Sequence, residues 1–387
     1  MKALTRRVDS DFDVARCDFH FERGRMGLAG RRTIMSVPVE DAAAVLASFD
    51  VDDEVGLPGC GPVAFGALPF DPAVSGSVHV PAEVFGRAED GTRWHTTIEI
   101  DTPAGDDRAP RRPAPSRFTV EPTRTPESWC DLVERATKLM TDDGLRKVVL
   151  AREVTVTADE PFEIEVVLDR LRAAYPGCRV FSVDGFVGAS PELLVSRVGD
   201  IVRSHPMAGT APRGGDPTSD ARLAASLLAS TKDRQEHQIT IDMVHDTLLP
   251  WCSYLDYEAE PSIVPVANVQ HLATLVEGRL SSPAPSVLEL VRALHPTPAV
   301  CGSPLDAALA FIRAQEGFDR GRYAGAVGWV DSRGNGTWAV SVRCADIAGP
   351  VARVCAGNGI VPDSDPATEL AETRAKLQAM LSALVRP

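Results

Sequence analysis

The chain has 387 residues, with 40 Lys+Arg against 54 Asp+Glu and a formal net charge of −14. That length allows two or three domains or one large α+β unit, and a hydrophobic content of 44% supplies a real core. The acidic balance leaves no basic excess to neutralise nucleic-acid or membrane phosphates, no apolar run reaches the roughly 18 residues of a membrane helix, and the first residues carry no apolar segment of secretory type.

These exclusions predict a cytoplasmic protein with neither nucleic acid nor membrane as a partner. The eight cysteines are scattered, with no C-x-x-C and no zinc spacing, and read as reduced thiols.

In chain order, residues 39–49 (VEDAAAVLASF) are the main helix signal of a β-rich first part, 1–115, which also holds a Gly/Pro-rich turn region at 57–72. Residues 103–116, rich in proline and charge, read as an exposed linker to a second part, 117–387. There, 147–156 (KVVLAREVTV) is a strand rich in β-branched residues, and 163–175 is an amphipathic helix. CRVFSV, Asp184-Gly185 and FVGASPELLVSR form a hairpin. Residues 219–250 are one long helical stretch, and 285–294 a short helix. YAGAVGWV, the turn DSRGNG and TWAVSVRCADI make a second hairpin. Asp365 and Pro366 open a closing helix, as N-cap and first-turn proline. Hairpins and helices without strict βαβ alternation predict an α+β fold of antiparallel sheets flanked by helices. No phosphate loop or dinucleotide glycine fingerprint follows any strand.

The chain uses only five lysines, at 2, 138, 147, 232 and 376, so a lysine in a strand or motif can be there to lose its proton, which arginine cannot do. Lys147 shares a strand face with Val149 and Ala151. It is either a lysine reaching solvent from a strand end or a buried base. Glu192 shares a face with Leu194 and Ser196. It is either solvent-facing or a buried carboxylic acid with a raised pKa, able to donate a proton. Asp233 and Glu236 lie on one helix face, and Glu369, Glu372 and Lys376 on another. Each stripe alone is ordinary solvated surface, and together they offer hard oxygens from two helices, which suit Mg²⁺. Thr337, Ala339, Ser341 and Arg343 run small residues into an arginine, as in a cavity floor with a carboxylate-binding fork. Ala356-Gly357-Asn358-Gly359 would let backbone amides approach an anion.

KVVLAR, GASPELLVS, HPMAGT, KDRQEH, QHLAT, HPTPAVCG, YAGAVGW, VRCADI and AGNGIV, followed by an E-x-x-E-x-x-x-K helix, resemble the chorismate-utilising enzymes in order and spacing. The resemblance runs over residues 60–385 and is strongest toward the isochorismate synthases of that family. It implies one layered α+β domain, 1–387, with a large antiparallel sheet, and it implies Mg²⁺. It also implies roles. Lys147 matches the base that activates water for attack at C2 of chorismate, and Glu192 the acid that protonates the departing C4 hydroxyl. Glu236 and Glu372 match the metal ligands, with Asp233 and Glu369 behind them. Arg343 and Tyr323, with the Gly357 and Gly359 amides, match the grip on the enolpyruvyl carboxylate. His271 and Lys376 line the ring side, Gly209 and Thr210 close the pocket, and Ala299 and Val300 shape it.

Alanine at 208, where aminodeoxychorismate synthases carry a nucleophilic lysine, argues against that chemistry, and Lys147 argues for water over ammonia. After His271 the chain reads LATLVEG, where many isochorismate synthases place a proline after the threonine. The resemblance thus implies Mg²⁺-dependent isomerisation of chorismate, with a place in siderophore or menaquinone biosynthesis. The alternative is a salicylate synthase, which further eliminates pyruvate. Amination would need ammonia or an amidotransferase, and a module that only sequesters chorismate would have no use for an acid, a base and metal ligands together. The expected protein is a monomer with no obligatory amidotransferase.

Overall fold

Runs of β-branched and aromatic residues joined by tight turns favour antiparallel pairing, and strands dominate this chain. The computed structural model describes residues 1–9, 17–99, 114–142, 144–266 and 269–385. Most of the linker predicted at 103–116 lies outside these residues.

Twenty strands form one continuous hydrogen-bonded sheet with two wings. In spatial order the first wing runs Phe118–Pro122, Lys147–Ala158, Val351–Ile360, Cys344–Ala348, Phe186–Ser190, Arg179–Val183, Phe19–Arg23 and Met26–Pro38. Met26–Pro38 pairs with Ser77–Arg87, and from there the second wing runs Val63–Leu68, Ala326–Asp331, Gly336–Val340, Leu193–Val198, Ile201–His205, Val276–Leu280 and Cys252–Tyr257. The strands before residue 100 are therefore hydrogen-bonded into the same sheet as the later ones. One pair departs from the antiparallel expectation: Lys2–Arg7 lies parallel to Asp50–Asp53. The wings share an apolar core that includes Phe65, Phe181, Phe186 and Trp338, and Phe19 of one stacks on Phe65 of the other at 5.4 Å. Full burial of a side chain of this kind contributes about 1.5–3 kcal/mol.

The described residues hold eight α-helices: α1 (Ala42–Ala47), α2 (Pro126–Asp142), α3 (Ile164–Ala174), α4 (Pro217–Ala229), α5 (Thr231–Leu248), α6 (Val287–Leu294), α7 (Leu305–Gln315) and α8 (Pro366–Leu384). Helices α2, α3 and α8 cover the first wing, and α6 the second. Helices α4 and α5 pack on a separate sheet of Met207–Pro212, Val269–Ala273 and Ser262–Val266. The Asp365 cap forms as predicted, its carboxylate accepting the Thr368 amide at 2.8 Å.

Several elements differ from the sequence reading. The helix expected at 39–49 shortens to α1. The single stretch at 219–250 is two helices, because Ser230 takes an extended conformation and its hydroxyl caps α5 through the Asp233 amide. Helices α2 and α7 went unread, although the spacing of Trp129, Leu132, Val133, Ala136 and Met140 marks α2 as amphipathic.

The largest corrections fall on two strands. FVGASPELLVSR breaks at 191–192, leaving the first wing after Ser190 and joining the second at Leu193. TWAVSVRCADI breaks at 341–343 and crosses back, with Arg343 at a positive φ of 51°. Because the strands flanking one break pair with those flanking the other, the breaks lie side by side. Glu192 and Arg343 are thus at crossings between wings, and the strand faces predicted for them do not exist.

The Asp184-Gly185 turn forms with both residues at positive φ, 48° and 73°, as a type I′ hairpin requires. A Cβ on Gly185 would lie 2.5 Å from the Ile347 carbonyl oxygen. Gly185→Ala should lower the unfolding free energy by at least about 1–2 kcal/mol, read as a fall in denaturant midpoint. An unchanged midpoint would contradict this account of the turn.

Candidate active site

Two broken strands leave main-chain groups that each need a partner. Across the breaks, Ser190 Oγ donates to the Val340 carbonyl at 2.6 Å, the Val340 amide to the Glu192 carbonyl at 3.2 Å, and the Ala189 amide to the Arg343 carbonyl at 3.0 Å. These bonds hold the crossings open beside a cavity of about 230 Å³. Glu192 lies in its wall, 6% exposed. Burial pushes the Glu192 carboxyl up to about 7, against the pull of the Met207 amide and the positive charges of Arg343 and Lys147. A carboxyl in that range can hold a proton at neutral pH and give it up.

Lys147 heads its strand, 4% exposed rather than reaching solvent. Its Nζ donates to Glu236 Oε1 at 2.6 Å. Glu236 comes from α5, one turn after Asp233, and both line the cavity. Gly359, opposite Val149 in the neighbouring strand, makes room for the pair: a Cβ there would lie 2.9 Å from Lys147 Cε and 3.1 Å from Glu236 Oε1. Gly357 and Gly359 belong to a regular strand, and both border the cavity.

Helix α8 supplies Glu369, Glu372 and Lys376 to the same space. Lys376 Nζ donates to Glu372 Oε1 at 2.7 Å, to Asn358 Oδ1 at 2.9 Å and to the Gly357 carbonyl at 3.1 Å. Glu369 accepts from Ser364 Oγ at 2.8 Å and Asn358 Nδ2 at 3.0 Å, while burial raises its pKa.

Arg343 is half-buried and held by His271. An arginine only donates, so the 2.7 Å contact from Arg343 Nη2 to His271 Nε2 makes that nitrogen the acceptor. His271 Nδ1 then carries the proton, 3.2 Å from the Gly209 carbonyl and 3.1 Å from Thr210 Oγ1. Burial, reinforced by the charges of Arg343 and Lys376, holds His271 well below its ordinary pKa, so it stays neutral. Gly209, at φ 74°, bulges the strand that faces His271. Tyr323 borders the cavity with its phenol protonated, because burial raises its pKa. Ala299 and Val300 form a further part of the wall.

Every residue given a role by the resemblance thus lines this one cavity, whereas Thr337, Ala339 and Ser341, read as its floor beside Arg343, do not. Val149, Met207, Cys355 and Lys232 line it too and were not singled out. The scarcity of lysine was the available signal for Lys232, since three of the five lysines are here. No such signal marks the other three, which read as ordinary strand residues.

Four carboxylates from two helices, Asp233, Glu236, Glu369 and Glu372, give the cavity a hard-oxygen edge. Among the described residues, no group of three or more acidic, His or Cys side chains converges closely enough to hold a metal ion unaided. Mg²⁺ ordinarily takes one or two carboxylates and completes its shell with water and substrate oxygens. The donor set fits that pattern.

Residues 89–385 match a family model described as chorismate binding enzyme. The isochorismate synthase DhbC of Bacillus subtilis is 38% identical to this chain over 334 residues, which span 84% of this chain and 81% of DhbC. The isochorismate synthase EntC of Escherichia coli K12 is 38% identical over 328 residues, 83% of this chain and 81% of EntC. Among solved structures, DhbC from Bacillus anthracis aligns with a TM-score of 0.82 at 33% identity, covering 97% of each chain.

The raised carboxyl of Glu192 makes folding pH-dependent. Its folded value, about 7, lies above the 4.5 of a free glutamate. The stability it contributes is therefore full below pH ~4.5 and lost as pH rises through ~7. Across that window the parent should lose about 3 kcal/mol relative to Glu192→Gln, which cannot ionise. Denaturant midpoints measured against pH test this, and parallel curves for the two proteins would contradict it.

Proposed function

Because the chain belongs to the chorismate-binding enzyme family, with relatives along most of its length that are isochorismate synthases, we propose that it isomerises chorismate to isochorismate in this cavity. The observation that carries the reading is a buried lysine and a buried carboxylic acid in the wall of one cavity, each beside the groups its role requires.

Lys147, as the free amine, takes a proton from water while the water oxygen bonds to ring carbon C2. The conjugated double bonds shift along the ring, and the C4–oxygen bond breaks. Glu192 gives its proton to that departing oxygen, which leaves as water. One water is consumed and one released, and the proton passes from Lys147 back to Glu192 through solvent. Arg343 grips the enolpyruvyl carboxylate in a charge-assisted fork, held in place by His271, while the Tyr323 hydroxyl donates beside it. Lys376 and His271 face the ring, and Gly209 and Thr210 close over it. Glu236 and Glu372 would hold Mg²⁺, with Asp233 and Glu369 supporting them. An ion held there would supply positive charge for the ring carboxylate and would compete with Lys147 for Glu236. No amidotransferase is needed, since water is the nucleophile.

Incubating the protein with chorismate and Mg²⁺ and separating the products should give a reversible mixture of chorismate and isochorismate. Activity should disappear in excess chelator, and Glu236→Gln or Glu372→Gln should raise the Mg²⁺ concentration required. Stoichiometric pyruvate with fluorescent salicylate, or full activity in chelator, would contradict the reading.

Lys147→Ala and Glu192→Gln should each lower turnover by about 10²-fold or more with folding intact. In the parent, kcat/KM should bend downward above pH ~7 as Glu192 loses its proton. Near-parental turnover in either variant would refute that residue's role.

A further inference from the structure

Beneath the cavity, just past the end of α7, Glu316 and Arg320 form an ion pair whose side chains are 0% and 2% exposed. The guanidinium forks onto the carboxylate, with Nε 2.6 Å from Oε2 and Nη2 2.6 Å from Oε1. Its remaining reach goes to main chain: Nη2 donates to the Val149 carbonyl at 2.7 Å and Nη1 to the Val300 carbonyl at 2.9 Å. Glu316 Oε1 also accepts the Ala151 amide at 2.7 Å. The guanidinium lies over the Phe70 ring, 4.2 Å from its centre. From the other side, Arg124 Nη2 donates to the carbonyls of Gln315 and Glu316 at 2.9 and 3.0 Å and fixes the end of α7.

Stability does not explain such a pair, because burying two charges is costly and apolar residues of similar volume often do as well or better. What it contributes is geometry. Val149 and Val300, whose carbonyls it spans, both line the cavity, Val149 two residues from Lys147 and Val300 beside Ala299. The two segments also meet directly, through Val149 N to Cys301 O at 2.8 Å and the antiparallel pairing of Gly302 and Ser303 with Val148 and Lys147, and the ion pair extends that link to Val300.

We infer that Glu316 and Arg320 are a positioning pair, setting the distance between the Lys147 strand and the Ala299–Val300 wall and so the fit of the substrate ring. The inference rests on the proposed isomerase reading of the same cavity. Neither residue lines the cavity. They act through the backbone that does.

Arg320→Lys is the sharpest test. It keeps a cation against Glu316, but a point charge cannot span both carbonyls as a planar fork does. A double variant, Glu316→Leu with Arg320→Met, removes the pair without stranding a charge and guards against misfolding of the first. For each purified variant, kinetics with chorismate and Mg²⁺ are measured beside hydrogen–deuterium exchange of residues 297–303. A positioning role predicts a KM raised by about tenfold or more, with the parental pH bend retained and faster exchange in 297–303. A KM within about twofold of the parent with unchanged exchange, or a loss of thermal stability alone, would overturn it. If the parent makes no isochorismate, the functional reading fails instead, and the exchange arm, which needs no substrate, still decides the role of the pair.

Discussion

Two chain crossings between the wings, at 191–192 and 341–343, set the conditions for everything at the cavity. A strand that leaves its sheet gives up ladder partners, and the loss is tolerable only if the freed groups are satisfied locally. Here the two crossings satisfy one another, through Ser190 with Val340 and Val340 with Glu192. The opening they create is lined by protein, and it takes one polar side chain from each crossing, Glu192 and Arg343.

Burial makes charge expensive at Lys147 and Glu192, and the cavity's charges are disposed accordingly. Lys147 is matched by Glu236 and Lys376 by Glu372. Arg343 rests on a neutral histidine, which takes no part of its charge and so leaves it available to an anion. Glu192 has no cation in direct contact among the described residues, and its carboxyl rises accordingly. The same physics that makes an unpaired buried carboxylate costly supplies an acid in the useful range. Behind the wall, Glu316 and Arg320 spend a fully paired charge on main-chain carbonyls, which suits a fixed spacing better than it suits stability.

Much of this was legible in the sequence. The β-branched run from Lys147, the Asp184-Gly185 turn and the Asp365 cap each obey a local rule, and each formed. The site residues were legible for another reason: their motifs resemble a known family in order and spacing, and the folded chain gathers them around one cavity. Local rules alone had left Lys147, Glu192 and the glutamate stripes undecided between surface and site. The crossings were not legible. Pro191 hints at the first, but nothing in WAVSVRC signals the second, because the positive φ at Arg343 is imposed by the neighbouring wing. Ser230 was a missed local signal, a serine three residues before an acidic side chain at a helix start. Helix α7 was also missed, and with it the setting of Glu316 and Arg320.

The mechanism turns on where the new hydroxyl comes from. On the proposed reading, a base beside C2 and an acid beside C4 would bring oxygen from solvent to one carbon and release it from the other, rather than let it migrate within the ring. Running the reaction in H₂¹⁸O and recovering isochorismate by mass spectrometry reads this directly. The account predicts one ¹⁸O in the C2 hydroxyl of the isochorismate formed in early turnover. Isochorismate formed without label would contradict it.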